Sequence, residues 1–132
     1  TVAPTDDDTL SRLTLTTNGD DQMAEQIVKQ LHKLIDTIKV VDLTEGPHIE
    51  RELMLVKIKA SDTDSRTELK NCVEIFRGSI IDVTPATYTV QLAGDSEKLD
   101  AFIEAVSQIG IMEVSRSGVT GISRGDKFIR VN

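Results

Sequence analysis

The sequence has few of the residues that would point to catalysis or to nucleic-acid binding. It contains one cysteine, two histidines and no tryptophan, and aromatic residues make up 3% of its 132 residues. The single cysteine, Cys72, excludes an internal disulfide and suits a reducing compartment, so we expect a cytoplasmic protein. The shortage of aromatics disfavours base stacking, and the net charge of -7 opposes contact with phosphates. We therefore expect no nucleic acid among the partners.

Long apolar runs are missing as well. No run approaches the ~20 residues that span a bilayer, and no basic and apolar leader opens the chain. The first residue is Thr1 rather than Met, which is consistent with an N-terminal truncation or processing event. The composition, 39% hydrophobic and 28% charged, is typical of a soluble globular protein, and we expect no membrane association.

What the sequence does contain is an ordered series of strand and helix periods in its second half. From residue 52 to residue 116 the order is strand, helix, strand, strand, helix, strand. The strands are predicted at residues 52–60, 79–83, 87–92 and 111–115, and Gly78 and Gly110 end the two helices. The apolar helix faces predict a helix–sheet core that contains Leu69, Val73, Phe76, Leu99, Phe102 and Val106.

The first half has most of the same pattern. Strands are predicted at residues 1–5, 9–17 and 38–41, with a helix over residues 21–36, as if an opening strand and helix were cut away. The turn-rich residues 44–47 mark a boundary between residues 1–46 and residues 47–132. We therefore predict an α+β fold of tandem ferredoxin-like βαββαβ units, the first lacking its opening strand and helix.

The polar residues suggest neither a catalytic nor a metal site. His32 is predicted on a helix and His48 in the linker between the units, and neither belongs to a nucleophilic motif. Cys72 lies on an apolar helix face and is predicted to be a core residue. The run Asp6-Asp7-Asp8 lacks the spacing of a calcium loop and indicates a solvated turn. We predict no catalytic residue and no metal ligand.

The C-terminal residues 116–132 are punctuated by glycine and locally basic, and we predict an extension rather than core. A resemblance to a phosphate loop is weak, because residues 116–125 lack the terminal Gly-Lys-Ser/Thr. The cations of this segment form a candidate surface for docking on an acidic partner, although a solvated tail explains them equally well. These cations are Arg116, Arg124, Lys127 and Arg130.

Several strings of the sequence carry a specific resemblance that runs through both halves. They are TVAPTDD and TLSR at the start, KQLHKL at residues 29–34, HIERELMLVK at residues 48–57, IFRG at residues 75–78, IIDVT at residues 80–84, YTVQL at residues 88–92 and SRSG at residues 115–118. In order and without large gaps, these strings resemble the ACT-domain small subunits of bacterial acetohydroxyacid synthase (acetolactate synthase).

The resemblance implies a regulatory subunit without catalysis of its own. Such proteins bind a large catalytic subunit, raise its activity and make it sensitive to feedback inhibition by valine in branched-chain amino-acid biosynthesis. Thiamine diphosphate, magnesium and FAD are expected only in that partner, and no cofactor in this chain. The resemblance further implies a homodimer or higher oligomer in which two ACT domains hold the effector.

The effector motif of the family, a glycine-containing loop with an asparagine, follows the first strand of the ACT domain. It would lie upstream of Thr1, so that Thr1, Val2 and Ala3 are the predicted remaining side of the effector site. We expect weak valine binding by the 132-residue chain. An alternative function is an independent ACT-like ligand-sensing or scaffold module that acts on another enzyme, which fold alone does not separate from the first. Co-purification with a large thiamine-diphosphate enzyme discriminates between them.

Overall fold

The computed structural model describes residues 2–4, 11–13, 25–27, 29–30, 33, 43 and 46–128 of the chain. Two compact units are distinguished within the chain. One contains Glu50–Thr120, and the other contains Val2–Ile49 and Gly121–Asn132. The predicted division between residues 46 and 47 stays a prediction.

A two-stranded antiparallel sheet is formed near the start of the chain. β1 (Val2–Pro4) pairs with β2 (Ser11–Leu13). Residues 25–27, 29–30 and 33 are helical, as the spacing of apolar residues predicts for this segment. The predicted strand at residues 38–41 and the predicted acidic turn at residues 6–8 lie outside the described residues.

The longer sheet is built from strands that the period-two pattern predicts. Its antiparallel strands are β3 (His48–Lys59), β4 (Ser79–Val83), β5 (Thr87–Gly94) and β6 (Ile111–Arg116), in the spatial order β4-β5-β3-β6. The first and third strands of the unit are therefore central, and the second and fourth are outside, which is the arrangement of a βαββαβ unit. The predicted ferredoxin-like, ACT-like α+β fold is confirmed.

Two helices connect these strands, and an aspartate directly before each helix caps its N-terminus. They are α1 (Thr63–Ile75) and α2 (Ser96–Val106). The carboxylates of Asp62 and Asp95 accept hydrogen bonds from the backbone N–H three residues later, at 2.7 Å and 2.9 Å. An aspartate in this position satisfies an N–H that has no partner within the helix and thereby fixes where the helix starts.

The helices cover one face of the sheet and enclose the core. Its most deeply buried side chains are Met54, Val56, Ile58, Leu69, Val90, Leu92, Leu99, Phe102 and Val106. Phe76, half-buried, packs edge-to-face on Phe102 with ring centroids 5.5 Å apart and an interplanar angle of 84°. The six predicted core residues therefore all lie in or against the core. The side chains of the helices and of the sheet pack against one another in this core. Burial of their apolar surface there stabilises the unit.

Helix α1 ends one residue earlier than its glycine would indicate. The residue in the left-handed conformation is Arg77, with a φ of 58°, and the N–H of Gly78 donates to the carbonyl of Val73 at 2.8 Å. Gly78 is required for a different reason, since a Cβ there would lie 3.0 Å from the backbone oxygen of Gln91. The glycine thus permits close approach of the chain to β5, while Arg77 carries the turn.

The two ends of the second half differ from the sequence prediction. β3 begins at His48 rather than at residue 52, so that His48 lies in a strand instead of a linker. The segment predicted to be an extension contains a strand, β7 (Thr120–Ser123), which pairs with β3 and includes the buried Gly121. Only four residues long and interrupted by glycine, β7 is too short for its period to be distinguished in sequence.

The sheet face opposite the helices carries both polar and apolar side chains. Leu53 is 42% exposed and Leu55 is half-buried, while Lys57 lies 3.9 Å from the Glu113 carboxylate. These β3 residues alternate with the buried Met54, Val56 and Ile58, as strand geometry requires.

Candidate functional site

A charged cluster joins three elements at one end of the longer sheet. Glu52 of β3 is only 7% exposed, and it is the one charged residue that is buried among the described residues. Its Oε1 accepts from Arg116 Nε at 3.1 Å and from Arg116 Nη2 at 2.7 Å. Arg116 Nη1 donates at 2.7 Å to Oδ1 of Asp100 on α2. The guanidinium, at the end of β6, therefore binds two carboxylates.

The same glutamate also bonds the backbone between β6 and β7. Its Oε2 accepts a hydrogen bond from the N–H of Gly118 at 3.0 Å. Ser117 and Leu53 are bonded reciprocally, because the Ser117 N–H donates to the Leu53 carbonyl at 2.9 Å and the Leu53 N–H donates to Ser117 Oγ at 3.0 Å. Gly118 has a φ of 85°, a conformation that favours glycine. The chain passes from β6 to β7 here and stays antiparallel to β3, as the later hydrogen bond from the Arg124 N–H to the Pro47 carbonyl shows.

The electrostatics of the cluster favour its charged form. Hydrogen bonds to Glu52, and secondly to Asp100, raise the pKa of Arg116 above its ordinary value, so the guanidinium is charged at every accessible pH. Hydrogen bonds between a guanidinium and a carboxylate are charge-assisted, and here Nε and Nη2 of Arg116 both donate to the single oxygen Oε1 of Glu52. The cluster therefore links β3, β6 and α2. Its arginine has both neighbouring carboxylates as partners and is not displayed as an isolated cation.

A second arginine, Arg66 of α1, joins two loops at the opposite end of the unit. Its Nε donates to the Ala60 carbonyl at 2.8 Å, and its Nη2 donates to the carbonyls of Thr84 and Pro85 at 2.7 Å each. The guanidinium carbon lies 4.8 Å from the centre of the Tyr88 ring. A planar cation suits this stacked position better than lysine would. These contacts indicate that Arg66 stabilises the unit, because its Nε and Nη2 donate to backbone carbonyls.

Residues that could support catalysis or metal binding do not assemble in the described part of the chain. No group of three or more His, Cys, Asp or Glu side chains lies close enough there to hold a metal ion. Cys72 is half-buried and packs against the core. His48 Nδ1 lies 3.0 Å from the carbonyl oxygen of Gly46, while His32 lies outside the described residues. Among the described helices none has the length and apolarity to cross a bilayer.

Comparison with known families places both halves of the chain. The family described as "Small subunit of acetolactate synthase" matches residues 51–125, and the one described as "AHAS small subunit-like ACT domain" matches residues 1–39. The chain belongs to the acetolactate synthase small-subunit family. The expected resemblance is thereby confirmed over both halves.

Individual members of the family align over nearly the whole chain. It is 61% identical over 131 residues to the acetolactate synthase isozyme 3 small subunit of Escherichia coli, covering 98% of this chain and 80% of that protein. Identity to the small subunit of Haemophilus influenzae is 55%, with 98% and 79% covered. The crystal structure of the acetolactate synthase small subunit from Thermotoga maritima superposes with a TM-score of 0.81 at 35% identity, covering 96% of this chain and 79% of that one.

Membership of the small-subunit family bears on whether the chain is an enzyme by itself. Its members are named as subunits of an enzyme complex, and the prediction of a subunit rather than a separate enzyme is confirmed. The predicted ACT domain and the predicted link to branched-chain amino-acid synthesis are confirmed with it.

The predicted docking cations occupy different environments. Arg116 is the centre of the cluster with Glu52 and Asp100, and 30% of its side chain is exposed. Arg124 and Lys127 lie exposed in the segment after β7, and the N–H of Arg124 donates to the carbonyl of Pro47 at 3.1 Å. Arg130 lies outside the described residues. The role of these four residues in docking stays a prediction.

The predicted effector residues lie at the start of the chain. Val2 and Ala3 belong to β1, opposite Leu13 and Arg12 of β2, while Thr1 lies outside the described residues. Their assignment to an effector site stays a prediction.

Sequence reasoning missed Glu52 and Asp100 as members of a site. From the sequence alone, Glu52 is simply a charged residue in a strand and Asp100 a charged residue on a helix surface. A weak signal was available, because Glu52 has the same strand parity as the core residues Met54, Val56 and Ile58. A carboxylate on the buried face of a strand requires a partner.

Proposed function

We propose that this chain is a regulatory subunit that binds the thiamine-diphosphate-dependent large subunit of acetolactate synthase and raises its activity. The observation that carries this proposal is the match to acetolactate synthase small subunits over 98% of the chain at 61% identity. An identity that high over both halves extends beyond a shared βαββαβ fold, which hosts many functions.

The chemistry of the reaction belongs, in this proposal, to the large subunit. We propose that thiamine diphosphate, magnesium and FAD bind to that partner and not to this chain, as the family resemblance implies. This chain contributes a packed second unit and an exposed basic segment that includes Arg124 and Lys127. We assign the complex to the cytoplasm and expect two or more copies of this chain in it.

Reconstitution with the cognate large subunit tests the activation directly. The purified chain, titrated into a fixed amount of large subunit, is expected to raise acetolactate formation to a plateau, and to form none by itself. Bovine serum albumin at equal concentration controls for non-specific stabilisation. Absence of any rise, together with co-purification of a different enzyme, would replace this proposal with the independent ACT-like module.

Valine sensitivity is the second part of the proposal, with the start of the chain forming one side of the effector site. Two variants, Val2→Asp and Ala3→Asp, each introduce a carboxylate at one position of β1. One of them is expected to raise the half-inhibitory valine concentration about tenfold, since like charges repel the valine carboxylate. Both variants retaining normal inhibition would remove Thr1, Val2 and Ala3 from the site.

A further inference from the structure

The edge strand β6 is paired with β3 in two registers that differ by one residue. Residues 113–116 pair with residues 54–57 in one register. Ile111 is opposite Ile58, where continuation of the first register would place Met112. Met112 is thus the extra residue of a β-bulge, and the bulge marks the point at which one register changes into the other.

Movement of the bulge toward the C-terminal end of β6 would extend the second register along the strand. Val114 would then lie opposite Leu55 on the sheet face away from the helices, and Glu113 would lie opposite Val56. Side-chain burial opposes this shift only weakly, because Val114 is 41% exposed and the Glu113 side chain is 72% exposed in the observed register. The backbone hydrogen bonds of an antiparallel ladder are of the same kind in both registers, so they do not select one of them.

The buried carboxylate of Glu52 does distinguish between the two registers. In the observed register Arg116 is opposite Met54, so its side chain shares a face with Glu52 and donates two hydrogen bonds to Oε1. A shift by one residue would turn Arg116 to the other face of the sheet. Glu52, which is 7% exposed, would then lose its cation, and a buried carboxylate without a cation is costly.

We propose that the ion pair between Glu52 and Arg116 selects the register of β6 on β3 and thereby fixes the bulge at Met112. The pair acts by making the shifted register unfavourable, and its own net contribution to stability is small. Asp100 binds the same guanidinium, but its side chain is 68% exposed and it contributes little to the selection. This inference concerns the unit Glu50–Thr120 alone and does not depend on the proposed function.

Proton NMR on the 132-residue chain identifies the register directly. In an antiparallel ladder the Cα atoms of pairs that do not exchange hydrogen bonds approach to about 4.5 Å, which gives a strong contact between their Hα protons. The Ser117 N–H donates to the Leu53 carbonyl, so the backbone of Val56 does not bond to β6. An Hα contact from Val56 to Val114 therefore reports the observed register, and one from Val56 to Glu113 reports the shifted register.

The decisive variant replaces both charges together, Glu52→Leu with Arg116→Leu. An apolar pair leaves no unpaired charge in the interior, so this variant is expected to stay folded. The population of the shifted register is expected to rise about tenfold or more. The rise is measured from the Val56–Glu113 Hα contact and from exchange broadening of the amide signals of residues 112–116.

The matched control breaks the other ion pair between the same two strands. Lys57→Gln removes the cation that lies 3.9 Å from the Glu113 carboxylate at the surface. Because exposed pairs contribute little, this variant is expected to keep the register of the parent chain. A rise in the shifted register as large as that of the double variant would contradict selection by the buried pair.

Two results from the double variant would overturn the proposal. An unchanged register would show that β6 is held in place without the ion pair, and equal broadening at Val90 and Leu92 of β5 would show a general loss of packing instead. Should the double variant fail to fold, Arg116→Lys provides the test, since lysine keeps the charge but lacks the fork of donors. A rise of about threefold or more in the shifted register would then support the selection, and an unchanged population would reject it.

Discussion

Glu52 and Arg116 are joined through two hydrogen bonds from one guanidinium to a single carboxylate oxygen, at 2.7 Å and 3.1 Å. The pair links the central strand β3 to the end of the edge strand β6. Removing Arg116 leaves the Glu52 carboxylate, which is 7% exposed, without its cation, and this costs more than the pair contributes when intact. The contact is therefore better understood as fixing one geometry of residues 116–118 than as a large net source of stability.

The core packing leads to the first prediction. Phe102→Ala is expected to lower the free energy of unfolding by roughly 3–5 kcal/mol, because the ring is fully buried and packs edge-to-face on Phe76. Urea denaturation measures the change. Ile75→Ala, at a side chain that is 74% exposed, is the matched control and is expected to cost less than about 0.5 kcal/mol. Equal effects of the two substitutions would contradict the described helix facing.

The end of α1 leads to a pair of opposite predictions. Arg77→Gly is expected to stabilise the chain by about 0.5–1 kcal/mol, since a non-glycine residue at a φ of 58° is strained. Gly78→Ala is expected to destabilise it by about 1–3 kcal/mol, because the added Cβ would lie 3.0 Å from the Gln91 oxygen and 3.2 Å from Leu92 Cδ1. Thermal unfolding of both variants checks the signs, and a reversal of either sign would refute the assignment of the two roles.

The cap of α1 leads to a prediction about pH. Hydrogen bonds from Ser65, first from its N–H and then from its hydroxyl, lower the pKa of Asp62 below its ordinary 3.8. A depressed folded-state pKa gives a stabilisation that is present above the unfolded value near 3.8 and is lost as pH falls through the folded value. Carbon-detected NMR titration measures the pKa directly.

The control for the cap is Asp62→Asn, which can still accept the hydrogen bond but does not titrate. Its unfolding free energy should decline less between pH 5 and pH 2 than that of the parent chain. Identical acid dependence of the two proteins would show that Asp62 contributes nothing to it.

Oligomeric state is the subject of the fourth prediction. Several large apolar side chains are exposed in the described part of the chain, and natural proteins usually cover such surfaces. They include Leu53, Ile81, Val83, Met112, Val114 and Ile122. Light scattering at micromolar concentration is expected to report a dimer or larger species. A stable monomer would contradict the homodimer proposal.

The basic segment leads to the last prediction. Reversal of charge at Arg124, Lys127 and Arg130 together, each to Glu, is expected to weaken activation of the large subunit, and to do so most at low salt, where screening is least. Activation titrations at two ionic strengths measure this.

A matched triple variant controls for net charge. Lys59, Lys70 and Arg77 are exposed cations outside the segment, and their change to Glu alters the total charge equally. The control should activate normally. Similar losses in both triple variants would attribute the effect to net charge, and no loss in either would remove the segment from the interface.

Local patterns of the sequence determined much of the second unit. Alternation in β3 and β5 and the 3.6-residue period of the helices depend on neighbours within a few positions. These signals predicted the element order and the buried faces, including Phe102. The strings shared with the acetolactate synthase small subunits predicted membership of that family, because they run through both halves.

Other features depended on contacts between distant positions and were decided by the tertiary structure. Glu52 finds Arg116 and Gly118 only after β3 and β6 are paired, so no local pattern indicates the cluster. The strand β7 gains its hydrogen bonds from β3, and Arg77 takes a left-handed conformation because Gly78 must approach β5. Periodicity specifies which face of an element is buried, whereas the partner of a buried charge is specified by packing.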